Sequence, residues 1–511
     1  MSPTLAFLLT FGVTGAGALA ALACDAFGQR RPALAVALGL TGIGSASGIA
    51  MAVRGIATGI VGTLQVGGPA SMVFGVIALT ACAAIGGGWD ELLVRQNGGS
   101  IAGLIAFAVL AGGAAASAVD LTTVLLAIEI SAVCAYALVA AGRTARSAEA
   151  SMKYFVQGAV ATGLFVFGLA VLVGAFAPSG RYDTLARALS SPFPVFPALA
   201  GVGLVLSALV FKMGGVPFHS WAPDVYETAP VESAAFLASG QKLGAIAAAA
   251  VFVSIVGSGS LGPRILVVVV TLAVLSVLVG SLAALRQTNY RRLLAYAGVA
   301  QSGYALIAIS LSSASLAVFF GATYAVAATG TFMSAAAFKR LRPEWDGSVA
   351  GLAGLGRRAP LLSGSLAVLL ISLSGLPPLL GFWSKLLVFG TAVNVAMQNL
   401  QAMPKVSWTL VIAVAAGLIG SIVSLGYYSS ILRSLFFDGP ERAVASHVAI
   451  GADDDALTTP NGADLDVAEK PAGGAGSAGI AVVALASVVG VAGITTLVFG
   501  STVLYQLFVA R

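Results

Sequence analysis

Charged residues are scarce in this 511-residue chain. Asp, Glu, Lys and Arg make up only 9% of it, whereas a soluble domain carries about 25%. Hydrophobic residues make up 58%. This composition cannot cover a soluble surface, so it indicates a protein that crosses a membrane many times. In such a protein the net charge of +6 reflects membrane sidedness and does not indicate nucleic-acid binding.

Cysteine and histidine are also scarce. Cys24, Cys82 and Cys134 lie far apart without a CxxC pair, and the chain has only two histidines. These counts argue against a metal or iron–sulfur site. No Gly-rich phosphate loop follows a predicted strand, so no nucleotide site is predicted. Alternating segments of about 10 residues, which mark membrane β-barrels, are absent as well.

Long apolar runs are abundant and predict an all-α membrane protein. Runs of about 20 apolar residues indicate spanning helices, and we predict about fourteen of them. The first run lacks a basic leader and further spans follow at once, so we interpret it as an uncleaved helix. The predicted spans lie near residues 2–22, 33–53, 69–88, 100–119, 121–141, 155–177, 195–220, 231–256, 265–284, 293–312, 314–337, 361–390, 406–436 and 478–505.

Basic residues collect on one side of the membrane when the loops are numbered alternately from an outer N-terminus. Of the 26 lysines and arginines, seventeen fall on one side, six fall on the other, and three lie inside spans. The positive-inside rule makes the richer side cytoplasmic and places both termini outside.

Two predicted spans contain helix-breaking residues near their middle. The seventh has Gly214, Gly215 and Pro217, and the twelfth has Pro377 and Pro378. Unwound backbone at membrane depth is tolerated only inside protein or beside a watery cavity. The breaks are five spans apart, which predicts two inverted five-helix repeats, spans 4–8 and 9–13, around a transport pathway. The alternative is that Gly and Pro are simply common in membrane helices.

This organisation divides the chain into five parts. The acidic part combines Asp and Glu with Gly, Ala and Pro, so we predict a disordered segment that either tethers the last helix or docks a partner. The parts are an N-terminal three-helix segment (1–99), a first repeat (100–256), a second repeat (257–437), an acidic cytoplasmic loop (438–476) and a C-terminal helix (477–511).

Four ionisable residues interrupt the apolar spans: Glu129 in the fifth, Lys212 in the seventh, Lys242 in the eighth and Lys385 in the twelfth. An ionised group at the bilayer centre costs about 2.5–3.5 kcal/mol. We therefore expect these groups to face one another, water or a substrate, and proton movement is their simplest use. The alternatives are a static Glu129–Lys212 ion pair, a Lys242 bonded to unwound carbonyls of the seventh span, and a Lys385 that snorkels to an interface.

Other polar residues lie near the same spans. His219 follows the first break and either passes protons inward or caps loose backbone. Gln301, Tyr304 and Tyr324 are predicted to hold water between the lysines of the eighth and twelfth spans, or to make ordinary interhelical hydrogen bonds. Three acidic residues beside the eighth span are predicted to be loop or helix N-terminal charges, with membership of the relay as the alternative: Asp224, Glu227 and Glu232.

Several segments resemble one family. Lys153-Tyr154-Phe155 is followed by VPFHSWAPDVYETAPVESAAFLASGQK at 216–242, RRLLAYAGVAQSGYALIAIS at 291–310 and LSGLPPLLGFWSKLLVF at 373–389. In this order, over roughly 100–435, they are similar to the antiporter-like subunit N of proton-pumping NADH–quinone oxidoreductase, respiratory complex I. The PDVYE segment after PFHSW favours subunit N over its relatives L and M.

The resemblance implies fourteen helices in two inverted repeats and proton translocation driven by quinone reduction in neighbouring subunits. It places the family's relay glutamate at Glu129 and its relay lysines at Lys212, Lys242 and Lys385. It implies a non-redox subunit of a translocase, without its own cofactor, because other subunits bind NADH, FMN, iron–sulfur clusters and quinone. Expected partners are the other membrane-arm subunits, especially subunit M and the small subunits on the quinone side, in a bacterial plasma membrane.

The chain departs from the family pattern at Gln301, where many relatives have His, and in a longer acidic loop. Other functions also fit the sequence. They are a subunit of a multi-subunit cation/proton antiporter or membrane-bound hydrogenase, a stand-alone transporter of a small organic solute, and a structural spacer. Co-purified partners distinguish the first of these functions, and activity of the purified single chain distinguishes the second. Removal of the charges at Lys212 and Lys385 tests the third, because a spacer would not need them.

Overall fold

The computed structural model describes residues 2–55, 59–176, 178–190, 193–439 and 476–499, with side chains up to residue 490. Within these ranges, thirteen helices are long and apolar enough to cross a membrane, and a bent pair of helices raises the number to as many as fourteen. The predicted all-α membrane fold is confirmed. Most of the acidic loop predicted at 438–476 lies outside the described residues.

Helices occupy all fourteen predicted span positions. The first span includes a π-helical stretch, Leu8–Gly12. In chain order the spans are Pro3–Ala26, Arg30–Val53, Gly68–Gly87, Gly98–Ser117, Leu121–Ala140, Ala145–Ala175, Val195–Met213, Val231–Val256, Gly262–Leu285, Tyr290–Ser310, Ala314–Leu341, Pro360–Ser374 with Leu380–Asn399, Pro404–Phe436 and Gly476–Phe499.

Short elements connect the spans. The sequence did not predict the small hairpin, because strands of three residues are too short for an alternating pattern to stand out. The short elements are the helices Trp89–Val94, Tyr182–Ser190, Trp221–Thr228 and Leu355–Arg358, the 3-10 turn Ala350–Leu352, and the antiparallel strands Gly59–Val61 and Leu64–Val66.

Two spans are longer than the sequence predicted. The sixth begins at Ala145 and not near 155, because Thr144 and Ser147 form a reciprocal cap with two 3.0 Å hydrogen bonds. The twelfth continues to Asn399 and not to 390. Polar residues in these extra turns ended the apolar runs without ending the helices.

Both predicted breaks are present. The seventh span ends at Gly214 (φ +70°), and the short helix Trp221–Thr228 follows the break. The first half of the twelfth ends at Gly375 (φ +85°), and the second half begins at Leu380. The left-handed conformation that closes each first half favours glycine. Each break leaves carbonyls of the preceding turn without helical partners. The grouping of spans into inverted repeats stays a prediction.

The eighth, tenth and eleventh spans form the centre of the bundle. Their most apolar windows are 94%, 94% and 100% buried, compared with 28% for the sixth span. The peripheral spans present apolar side chains outward, as a protein in contact with lipid requires. A lysine on the eighth span therefore lies inside protein.

The loops that the alternate numbering places on the side rich in basic residues contact one another. Asp90, which follows the third span, forms an ion pair with Arg340 at the end of the eleventh. Arg95 Nε lies 3.7 Å from a carboxylate oxygen of Glu232 at the start of the eighth span. Arg292 of the tenth span pairs with the segment before the eighth. These loops therefore share one end of the bundle, as the count of basic residues assumed.

Candidate proton-relay site

Glu129 and Lys212 line one cavity of about 10 Å³ between the fifth, sixth and seventh spans, about the space that one water needs. Glu129 accepts a 2.6 Å hydrogen bond from the Thr162 hydroxyl. Lys212 is 5% exposed, and its Nζ has no hydrogen-bond partner among the described residues. The structure thus brings the two groups to one cavity without a direct ion pair among the described residues.

Aromatic side chains surround Lys212. Its Nζ lies 5.9 Å from the ring centroid of Tyr154, which is stacked on Trp221 at 4.2 Å. The face of a tyrosine ring attracts an ammonium group. Trp221 Nε1 donates to the Phe211 carbonyl at 3.2 Å, in the last turn before the break. Aromatic groups therefore satisfy the local backbone, while the amine faces a ring and a cavity.

Lys242 lies at the centre of the bundle, directly after the π-helical turn Leu237–Gln241. Such turns are frequent at functional sites. Lys242 Nζ donates to the Gly298 carbonyl at 2.9 Å and to the Ser302 hydroxyl at 3.2 Å. Both acceptors belong to the tenth span, so the expectation of direct bonds to the seventh span is wrong.

Ser302 connects Lys242 to the break of the seventh span. Its hydroxyl lies 2.6 Å from the Met213 carbonyl and 3.1 Å from the Gly298 carbonyl. A hydroxyl donates one hydrogen bond at a time and also accepts, so Ser302 can switch between the two carbonyls. Polar contacts thus run from the residue after Lys212 to Lys242.

Lys385 caps the first half of the twelfth span. Its Nζ donates to the carbonyls of Leu373 and Ser374 at 3.0 and 3.1 Å, and to the Ser421 hydroxyl at 3.3 Å. A positive charge at a helix C-terminus is favourable because the carbonyl dipoles point toward it. The side chain is 5% exposed. The snorkelling alternative is therefore wrong.

Gln301 and Tyr324 lie between Lys242 and Lys385. Both line a cavity of about 10 Å³ that Lys385 also lines. Gln301 Nε2 donates at 3.0 Å to the Leu373 carbonyl, which also accepts from Lys385. On the other side, the Tyr324 ring centroid lies 5.3 Å from Lys242 Nζ. Their positions agree with the expectation, and their water-holding role stays a prediction.

Tyr304 and His219 occupy different surroundings. The Tyr304 ring lies 4.3 Å from Lys385 Nζ, and its hydroxyl lies 3.2 Å from both the Gly417 carbonyl and Ser421 Oγ. His219 lies in the break of the seventh span and lines neither cavity. Its ring interacts with the backbone of Pro217 in the same break, which agrees with the capping alternative, and the passage of protons stays a prediction.

Sequence reasoning missed several contributing side chains. Gln241 Nε2 donates to the Ser131 carbonyl at 2.9 Å and to its hydroxyl at 2.8 Å, which joins the eighth and fifth spans beside Glu129. An amide next to Lys242 in an apolar span was an available signal. Thr162 and Ser421 gave none, because hydroxyls in apolar helices usually bond their own backbone. In the described part of the chain, no group of three His, Cys, Asp or Glu side chains is placed to hold a metal ion.

Comparisons with known proteins show which family this chain is similar to. The family described as NADH:quinone oxidoreductase/Mrp antiporter, transmembrane, matches residues 118–412. NADH-quinone oxidoreductase subunit N of Sphingopyxis alaskensis is 36% identical over 66% of this chain and 68% of its own length. The subunit N of Rhizorhabdus wittichii is 32% identical over 87% of this chain and 90% of its own length.

Solved structures share the fold. A chain of respiratory complex I from Thermus thermophilus, in a structure with bound aureothin, is 27% identical with a TM-score of 0.71, and the match covers 94% of this chain and 96% of that one. A chain of the Mrp complex from a Dietzia species is 19% identical with a TM-score of 0.76, over 97% and 96% of the two chains. The second likeness concerns the fold alone.

Proposed function

Since this chain belongs to the NADH:quinone oxidoreductase/Mrp antiporter family, we propose that it moves protons as the antiporter-like subunit N of an NADH–quinone oxidoreductase. One observation carries the proposal. Polar groups form a row from the cavity of the half-buried Glu129 and the buried Lys212 through Ser302 to Lys242, and past the Tyr324 ring to the cavity that Gln301 and Lys385 line. Such a row through apolar spans suits a proton pathway.

The proposed mechanism begins at the Glu129–Lys212 cavity. Lys212 Nζ has no hydrogen-bond partner in the part of the chain that the structure describes, so the negative charge of Glu129 is the main group available there to offset its desolvation. A charge change arriving from a neighbouring subunit that neutralises Glu129 makes the ammonium form of Lys212 more costly. Lys212 then releases its proton toward Lys242.

Two further transfers complete the proposed route. Lys212 loses a proton and Lys242 gains it through Ser302 and water. Lys242 then passes a proton through the Gln301–Tyr324 cavity to Lys385, which releases it on the outer side. Each transfer needs a neutral amine as acceptor, and burial of all three lysines makes a neutral amine attainable.

We place the chain in a bacterial plasma membrane, with both termini outside and the arginine-rich end in the cytoplasm. We propose membrane-arm partners, in particular subunit M and the small subunits on the quinone side. The other subunits would bind NADH, FMN, iron–sulfur clusters and quinone. The likeness to a chain of respiratory complex I over 94% of this chain supports this placement.

Purification in a gentle detergent, with identification of the co-purifying proteins, tests the proposal. We expect flavin and iron–sulfur subunits and NADH:quinone activity. The second candidate is a subunit of a cation/proton antiporter, because the fold resembles a chain of an Mrp complex. Co-purification of antiporter partners without redox subunits would overturn the first proposal and support this second one. Transport of an organic solute by the purified single chain would overturn both.

A further inference from the structure

Glu232 is a buried carboxylate that has no part in the row described above. It lies in the first turn of the eighth span and is 1% exposed. Its Oε1 has no hydrogen-bond partner among the described residues. The sequence predicted a loop or helix N-terminal charge, and the place of Glu232 in the first turn agrees with the second of these. A carboxylate this deeply buried suits proton exchange better than a fixed surface charge.

Charged groups connect Glu232 to water at the arginine-rich end of the bundle. Arg95 Nε lies 3.7 Å from Glu232 Oε1, and the Arg95 side chain is 34% exposed. Arg291 and Glu91 also interact with Glu232 electrostatically. Glu91 lies on the short helix Trp89–Val94, outside the spans, and burial raises the pKa of its carboxyl above the ordinary value. This end therefore offers an exposed cation and a second carboxyl that can carry a proton.

Two tyrosine hydroxyls lie beside Lys242 and the turn that precedes it. The two residues are ten positions apart in one helix, about 15 Å along its axis. The Tyr226 hydroxyl donates to the Leu237 carbonyl at 3.4 Å, in the π-helical turn before Lys242. Tyr226 also interacts electrostatically with Tyr324. A methyl group placed on Gly298 would lie 3.1 Å from the Tyr324 hydroxyl and 3.3 Å from Lys242 Nζ. The hydroxyl and the amine therefore both lie beside Gly298.

We propose that Glu232 takes up protons from the arginine-rich end and supplies them to Lys242. In the first step, water beside Arg95 gives a proton to the Glu232 carboxylate. In the second, the carboxylic acid loses that proton, which passes by way of Tyr226 and Tyr324, and the neutral amine of Lys242 becomes ammonium. The positive charge of Arg95 then stabilises the carboxylate that remains. This inference rests on the proton relay proposed above.

The test uses the assembled NADH–quinone oxidoreductase in proteoliposomes, with proton translocation and NADH:quinone activity measured together. Glu232→Gln and Lys242→Ala should each lower the rate of proton translocation at least threefold, and Glu232→Asp should retain at least half of the normal rate. Glu149→Gln is the matched control, because Glu149 is 65% exposed at the same end and paired with Lys153 at 2.7 Å. We expect the control to pump at the normal rate.

The outcomes distinguish this inference from the proposed function. Normal pumping by Glu232→Gln with impaired pumping by Lys242→Ala would overturn the uptake role and leave the relay standing. Normal pumping by both would overturn the relay as well. If Glu232→Gln does not assemble, Tyr226→Phe decides, since it removes one hydroxyl from a ring that stays buried. A rate lowered at least twofold supports the path, and an unchanged rate overturns it.

Discussion

The two broken spans place a lysine beside unwound backbone in different ways. In the twelfth span, Lys385 donates to two carbonyls freed by the break and to a hydroxyl. In the seventh, Trp221 and Ser302 donate to the carbonyls of Phe211 and Met213, and Lys212 Nζ has no hydrogen-bond partner among the described residues. One lysine therefore holds its helix end together, whereas the charge of the other depends on a cavity and on Glu129. A broken helix can thus serve as an anchor or as a site with adjustable charge.

The largest expected difference between the two breaks is in stability. Lys385→Met leaves the Ser374 carbonyl buried without its donor and weakens the bonding at Leu373, which costs about 1–3 kcal/mol for each unsatisfied group. We expect a lower thermal midpoint of the assembled complex, together with loss of pumping.

Lys212→Met is the matched control for this comparison. It removes an amine that makes no hydrogen bond and keeps an apolar side chain of similar length. We expect an unchanged or higher thermal midpoint, with pumping still lost. Equal destabilisation by the two substitutions would contradict the distinction between anchor and adjustable site.

Glu129→Gln should separate charge from packing at the seventh-span break. The amide oxygen of Gln still accepts from the Thr162 hydroxyl, so stability should change by less than about 1 kcal/mol. Proton translocation should fall severalfold, because the charge that offsets Lys212 is gone. Proton translocation and the thermal midpoint of the assembled complex are the measurements. An unaffected pumping rate would mean that Glu129 does not control Lys212.

Ser302→Ala should have the smallest effect, because it removes one link without removing a titratable group. The Met213 carbonyl loses its hydroxyl donor, while Lys242 keeps its 2.9 Å bond to Gly298. We expect a stability loss of about 1 kcal/mol and a roughly twofold slower proton translocation. Ser310→Ala is the control, since the Ser310 hydroxyl bonds only its own helix, at Ile307. Equal pumping by the two variants would remove Ser302 from the route.

The sequence predicted the residues that are conspicuous in an apolar chain. Lysines inside spans and the Gly–Pro breaks stand out locally, and both breaks occur where they were expected. The acceptors could not be predicted in the same way, because every residue has a carbonyl. Tertiary packing alone decides that Gly298 and Leu373 meet a lysine.

Burial and pairing also depended on tertiary structure. No local pattern indicates that Glu129 and Lys212 face one cavity without a direct bond among the described residues. Glu232 occupies a position typical of a helix N-terminal charge, and tertiary packing, including the close approach of Gly88 after the third span, buries it. Side-chain roles of this kind are set by neighbouring spans rather than by local pattern.

The most direct test of the central claim is a double-mutant comparison in the reconstituted complex. Protons translocated per NADH oxidised are measured for Lys212→Met, Lys242→Met and the double variant, at matched amounts of assembled complex. If both lysines belong to one route in series, the double variant loses no more than the worse single variant. Losses that add would show two independent routes and contradict the account.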